Sequence, residues 1–244
     1  MAKVARFSEN EYFGKPCGLM DQVACACGGI LHIDFRDPDS PAIEKLAGDS
    51  APHGCVFVVV NTGAGHVDLT ADYAAVPAEM KKAAAALGKT HLAESSMAEL
   101  ILHARDVREK STDRAFLRAF HFFRENERVA LSVQALKDKN IARFLELLDD
   151  SGRSSFCYLQ NITPPGDGRF QPLALALALS EHFIGSCGQG ACRVHGGGFA
   201  GTILAVIRAA DFPGYRKMME AVFGPGSVIE LLIRDQGAIF LGDA

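Results

Sequence analysis

Five consecutive apolar residues, Val56-Phe57-Val58-Val59-Val60, constrain this 244-residue chain more than any other stretch. The valines are β-branched and fit a pleated sheet better than a helix. The run has no polar side to turn to water, so both its faces must be covered. That predicts a central strand. Three other segments also read as strands. Ile30-Leu31-His32-Ile33-Asp34-Phe35 alternates apolar and polar, as a half-buried strand does. Phe199–Ile207 and Val228–Ile233 are the other two apolar strand candidates.

The rest of the chain reads mainly as helix. Residues 1–14 are polar and are expected to finish a helix, broken by Gly14 and Pro16. A short helix is expected over Asp21–Cys27, closed by Gly28-Gly29. Residues 36–53, rich in Asp, Pro and Ser, read as loop. Helices follow over 78–87, closed by Gly88, over 97–110, and over 114–136, where Phe116, Phe120 and Phe123 recur at helical spacing. Asn140 is a cap for a helix through Leu148. Residues 161–170 read as loop, 173–184 as a helix apolar all round, and 213–223 as an amphipathic helix closed by Gly224. Strands and helices do not alternate strictly. The order favours an α+β fold, a mostly antiparallel sheet with helices packed on one face, plus a helical middle segment.

Bulk properties narrow the function classes. Net charge is −4 and both signs are interspersed, so nucleic acid is not an expected partner. No apolar run is long enough for a membrane helix, and the N-terminus lacks the apolar core of a signal peptide. Seven cysteines, with no Cys-x-x-Cys, fit reduced thiols in a cytoplasmic protein.

Two segments suggest chemistry. In Cys17-Gly18-Leu19-Met20-Asp21-Gln22 a carboxylate follows a glycine where a helix begins. A helix N-terminus holds a carboxylate ionised, and such a group can accept a proton from a hydroxyl nucleophile. The commoner use of an aspartate at that place is as a helix cap. In Arg193-Val194-His195-Gly196-Gly197-Gly198-Phe199-Ala200-Gly201-Thr202 consecutive glycines run into a strand. Their N–H groups could form a nest for an anion. A tight turn would look the same, and the Gly-Lys-Ser/Thr ending of a P-loop is lacking. His195 could donate to a phosphate or hydroxyl, or satisfy a loop carbonyl. Asn61-Thr62-Gly63-Ala64-Gly65-His66 follows the central strand, where ligand loops often lie. Beyond it, Tyr73 could offer its hydroxyl to a ligand or be half-buried packing. Cys25 and Cys27 point to different sides of a helix and do not make a metal pair. Cys187 and Cys192 read as part of a glycine-rich loop, and no metal site is expected.

Taken together and in order, these segments resemble the galactokinase branch of the GHMP small-molecule kinases. Residues 17–22 resemble the segment with the family's catalytic aspartate, and 193–202 its third, glycine-rich motif. Asn61 and Tyr73 match a strand-end segment and a sugar-contacting tyrosine. Ala85-Leu87-Gly88 and Arg118-x-x-His121 fit the family's helical middle. The resemblance implies a ferredoxin-like C-terminal fold. It makes Asp21 the general base, Gly18 and Tyr73 sugar contacts with Asp21, and Gly196, Gly197 and Gly198 the loop that holds phosphoryl charge.

The sequence also departs from the family. His195 stands where a hydroxyl residue is usual, Ala200 replaces a frequent glycine, and Ala74-Ala75-Val76-Pro77 takes the place of arginines. The N-terminal sugar motif and the Pro-Gly-Ser-rich motif that cradles ATP phosphates and Mg2+ are not in these residues. The resemblance therefore implies a C-terminal portion: residues 1–35 a remnant of the N-terminal kinase domain, 36–244 the C-terminal domain. The implied activity is transfer from ATP to galactose or a related monosaccharide, giving sugar 1-phosphate. An apolar surface bared by truncation would favour a homodimer or an N-terminal partner fragment. The alternative is a non-catalytic sugar-binding or regulatory protein on the same scaffold.

Overall fold

A computed structural model of the chain describes residues 1–14, 17–37, 39–46, 52, 54–63, 69–164 and 168–239. They form two compact units. The first is Met1–Ala51 with Leu136–Lys139 and Leu232–Ala244. The second is Pro52–Ala135 with Asn140–Leu231.

In the first unit, α1 (Ala2–Phe7) runs into a π turn over Ser8–Tyr12 and stops at Gly14, whose φ is +64°. Helix α2 (Met20–Cys27) ends where Gly28 and Gly29 both take positive φ. Strands β1 (Leu31–Asp34) and β2 (Ala42–Lys45) pair antiparallel. The 232–239 segment closes on the end of α2. A Cβ on Gly28 would lie 2.4 Å from the Gly237 nitrogen, so only glycine fits there. Gly29 N–H donates to the Arg234 carbonyl at 2.8 Å and Ala238 N–H to that of Ala26 at 3.1 Å.

The second unit holds the main sheet. Its strands are β3 (Cys55–Asn61), β4 (Gly190–Val194), β5 (Thr202–Arg208) and β6 (Val228–Leu231), in the order β4-β5-β3-β6, every pair antiparallel. As its sequence requires, β3 is central, and Val58 and Val60 are fully buried. Alternate residues turn to opposite faces. Val58, Val60, Ile203, Ala205 and Ile207 face the main core. There they meet Leu173, Ala176 and Leu177 of α8 (Pro172–Cys187) and Tyr215 and Met219 of α9 (Phe212–Phe223). Burying each Val, Leu, Ile or Met among them contributes about 1.5–3 kcal/mol. A smaller cluster lies on the opposite face, where Leu145 of α7 (Ile141–Ser154) meets Ala191 and Val206. Gly152 lets α7 approach the strand, since a Cβ there would be 2.6 Å from the Cys192 carbonyl oxygen.

The helical layer contains α3 (Thr70–Ala86), α4 (Met97–Leu102), α5 (Ala104–Lys110) and α6 (Asp113–Lys137), with Ala83, Ala84, Leu100, Val107, Ala115 and Ala119 as its buried seam. The α+β reading with a helical middle holds. So does the Asn140 cap, whose side chain accepts from Arg143 N–H at 3.1 Å.

Several boundaries differ from those read in the sequence. Strand β2 lies in the 36–53 stretch read as loop; all four of its residues are exposed and carry no alternation. Strand β4 lies in what read as glycine-rich loop. Gly190 belongs there because a Cβ would be 2.7 Å from the Val206 carbonyl oxygen. Cys192 is therefore a buried strand residue, and burial pushes its thiol pKa up to about 12. Helix α3 begins at Thr70 rather than 78. Pro77, which resembles a helix start, sits inside it and supplies no N–H to the Tyr73 carbonyl one turn back. Helix α7 runs on to Ser154.

Candidate active site

Asp21 and Gly18 lie in the first unit, Tyr73 and the glycine loop in the second. Asp21 sits in the first turn of α2 with its side chain exposed. It is not the cap: the N-cap position is Leu19, and no side chain caps this helix. The segment before it is pinned. Asn10 takes the Cys17 N–H at 2.8 Å and donates to the Cys17 carbonyl at 3.3 Å, and Gln22 donates to Glu9 at 2.9 Å. Leu19 and Val23 bury the inner side. Gly18 is exposed and a Cβ there would meet nothing. Packing within the described residues gives no reason for a glycine at 18.

In the second unit Tyr73 and the glycine loop come together. Tyr73, near the start of α3, donates its hydroxyl to the Gly198 carbonyl at 2.7 Å. Its ring meets Phe199 edge-on, centroids 5.5 Å apart. Burial pushes its phenol pKa upward. The ring also occupies the space beside Gly197, where a Cβ would be 2.6 Å from Cε1. Tyr73 is thus a support of the loop, a role its sequence position did not suggest. The loop itself is tightly wound. Gly196 and Gly198 have φ of +69° and +86°, and Phe199, with a side chain, has +59°. Ala200 N–H closes back on the Gly198 carbonyl at 2.7 Å, and Phe199 N–H donates to the Asn161 carbonyl at 2.5 Å. Those two amides are used inside the fold.

Sequence reasoning missed the loop's other supports. Asn161, 2% exposed, donates its side-chain amide to the Gly197 carbonyl at 3.1 Å. Arg193, at the end of β4 just before the loop, donates to Ser151 Oγ at 2.6 Å and lies 3.4 Å from Glu125. Glu125 also pairs with Arg128 and Ser151. Burial works to raise the Glu125 carboxyl, but the Ser151 hydrogen bond and the charges of Arg193 and Arg128 outweigh it and hold it below the usual range. His121 shares a hydrogen bond with Ser154 at 2.9 Å, and burial lowers its pKa. Arg118, 1% exposed, joins Glu79 at 3.0 Å and the Leu159 carbonyl at 3.1 Å. Burial pulls Arg118 down and also opposes ionisation of Glu79. The Arg114 hydrogen bond and both guanidinium charges still hold Glu79 low. An arginine stays protonated in either case, so the group is ionised. The spacing Arg118-x-x-His121 was a visible signal. Its partners, 33 to 41 residues away, were not.

His66 and its neighbours 64–68 lie outside the described residues, as do 165–167. Asn61, at the end of β3, accepts the Gly63 N–H at 3.0 Å, and Thr62 Oγ donates to the Gly201 carbonyl at 2.8 Å. Among the described residues no group of three or more His, Cys, Asp or Glu could hold a metal ion. No described helix is long and apolar enough to cross a membrane.

The fold is that of the GHMP small-molecule kinases. It matches a Lactococcus lactis galactokinase complexed with galactose with a TM-score of 0.76, at 21% identity, over 97% of this chain and 59% of that one. It matches a mevalonate kinase of L. major in complex with R-mevalonate with a TM-score of 0.55 at 14% identity. In sequence the chain is homologous to galactokinases. It is 28% identical to that of Actinobacillus pleuropneumoniae over 213 residues, 85% of this chain and 50% of the relative. It is also 28% identical to that of Streptomyces coelicolor over 223 residues, 91% of this chain and 54% of the relative. No family model matches. The chain spans about half the length of the curated relatives it matches.

Proposed function

We propose that this chain serves a galactokinase-like reaction, transfer of a phosphoryl group from ATP to the anomeric hydroxyl of galactose or a related sugar. The observation that carries the reading is the glycine loop, wound by positive φ and held by Tyr73, in a chain homologous to galactokinases along most of its length. In this reading Asp21 accepts the hydroxyl proton. Its exposure and its place in the first turn of α2 support that role. Gly18 leaves the backbone of the first unit open to a sugar, and Tyr73 is the candidate sugar contact of the second, each unit taken by itself. The Gly196–Gly198 amides face phosphoryl charge. Catalysis of this kind is mainly positioning and charge stabilisation. ATP with Mg2+ would supply the phosphoryl group. The three loop glycines are the residues here that fit its charge, and no phosphate-cradling motif is recognisable in these 244 residues.

The test is 31P detection of galactose 1-phosphate from galactose and MgATP. The chain would be assayed alone and together with the N-terminal half of a galactokinase relative. Product is expected with the added half, and little or none without it. Galactose binding with no turnover in the supplemented sample would instead favour a sugar-binding protein on the kinase scaffold.

A further inference from the structure

Two of the three non-glycine residues with positive φ among the described residues meet at one point. Gln160, φ +56°, ends the π turn Ser155–Leu159 and delivers Asn161. Phe199, φ +59°, ends the glycine run. Such conformations cost free energy and persist where the surroundings fix them, commonly at functional segments. What fixes the glycine loop here is Asn161. Its amide nitrogen holds the Gly197 carbonyl at 3.1 Å, and its backbone carbonyl takes the Phe199 N–H at 2.5 Å. One residue thus grips the loop on both sides of Gly198, where a Cβ would lie 2.1 Å from the Asn161 carbonyl oxygen. Asn161 is 2% exposed, so water cannot easily replace it.

We propose that Asn161 is a positioning residue. It fixes the Gly197 carbonyl and the Phe199 N–H on either side of Gly198 and so turns the Gly198 amide, which shares its peptide with the Gly197 carbonyl, toward the phosphoryl group. The reaction served is that of the proposed function; the grip on the loop stands apart from it. The side chain works as a donor, which makes a sharp test possible. In Asn161→Asp the shape is kept. An ionised carboxylate would face the Gly197 carbonyl and repel it, while a protonated carboxyl could donate to it again. Burial raises the pKa of such a carboxyl, so protonation falls within a measurable range.

The experiment is amide hydrogen exchange of the peptide covering 195–202 in the unliganded chain, as a ratio to the parent protein at each pH. For Asn161→Asp the loop is expected to exchange at least about tenfold faster than the parent at pH 8. Most of that difference should vanish at pH 5, with peptides of α8 unchanged. Asn161→Ala should loosen the loop at both pH values. If Ala unfolds the chain, the isosteric Asp variant decides alone. A loop ratio near one at pH 8, or equal loosening at both pH values in the Asp variant, overturns the donor role. Where the supplemented protein makes sugar phosphate, Asn161→Asp should lower kcat at pH 8 with the galactose KM little changed. Loosening without loss of kcat would reduce Asn161 to a structural residue. Absence of turnover in the parent would sink the kinase reading and leave the exchange result to judge the grip.

Discussion

Replacing each loop glycine in turn by alanine separates the two reasons a glycine can be needed. Gly196 has φ +69° but open space beside it, so Gly196→Ala costs only the left-handed backbone, about 1–2 kcal/mol. Gly197 has no such φ, but its Cβ would stand 2.6 Å from the Tyr73 ring. The ring can tilt, and overpacking of this sort costs about 1–3 kcal/mol. Gly198 combines both burdens: φ +86° and a Cβ 2.1 Å from a backbone carbonyl that cannot rotate aside. To open that contact the 161 segment must move by close to 1 Å. The move breaks the Phe199–Asn161 bond and strains the Asn161–Gly197 bond, at about 1 kcal/mol each. Gly198→Ala should therefore cost about 3–4 kcal/mol. Urea unfolding with a common m-value reads all three. Adding Tyr73→Leu should recover much of the Gly197→Ala loss and none of the Gly198→Ala loss, a coupling visible in a double-mutant cycle. A Gly196→Ala loss as large as that of Gly198→Ala would refute the reasoning, because the contact with Asn161 would then count for nothing.

Three other outcomes are expected. His121 is held neutral by burial, below its unfolded value of about 6.5. The unfolded chain then binds the extra proton as pH falls through that value, so stability is lost on acidification; the urea midpoint should drop from pH 7 to 5.5, and His121→Gln should drop less. Arg118→Met leaves the buried Leu159 carbonyl without its donor and Glu79 with Arg114 as its remaining arginine partner and should cost about 1–3 kcal/mol, whereas Arg105→Ala, at an exposed pair with Glu109, should leave the midpoint unchanged. In the supplemented enzyme Asp21→Asn should cut turnover by about 10²–10⁴ with ATP affinity unchanged, and near-parental turnover would remove Asp21 from the chemistry.

The sequence carried the fold wherever a pattern was local. The valine run, the Phe spacing of α6 and the Asn140 cap each announce themselves within one or two turns. It was silent where contacts decide. Strand β4 is Gly-Ala-Cys-Arg-Val, with little strand character of its own, and exists because β5 pairs with it and α7 covers it. Helix α3 starts eight residues before the 78 read in the sequence and carries Pro77 in its interior. At the candidate site the glycines were legible and their supports were not. Asn161 reaches the loop across 36 residues, and nothing near it in sequence marks it as more than a loop amide.

The supports also explain why a loop with so few bulky residues can hold one shape. Glycine is the residue that loses most conformational freedom on folding, so a run of three would ordinarily wander. Here the run is tied at its entry, at Gly197 and Gly198, and at its exit. Arg193 fixes its entry through Ser151. Asn161 and Tyr73 hold the carbonyls of Gly197 and Gly198 from separate elements. Phe199, buried against Tyr73, closes the exit in a conformation it would not choose alone. The hydroxyl of Tyr73 has one proton, and that proton is spent on Gly198. Under the proposed function a sugar hydroxyl meeting this phenol must therefore act as donor. The same bond that shapes the loop would then set the polarity of the sugar contact, so the loop and the sugar subsite cannot vary independently. That linkage gives a physical reason for Tyr73 and the three glycines to occur together in one chain, whatever the identity of the residues around them.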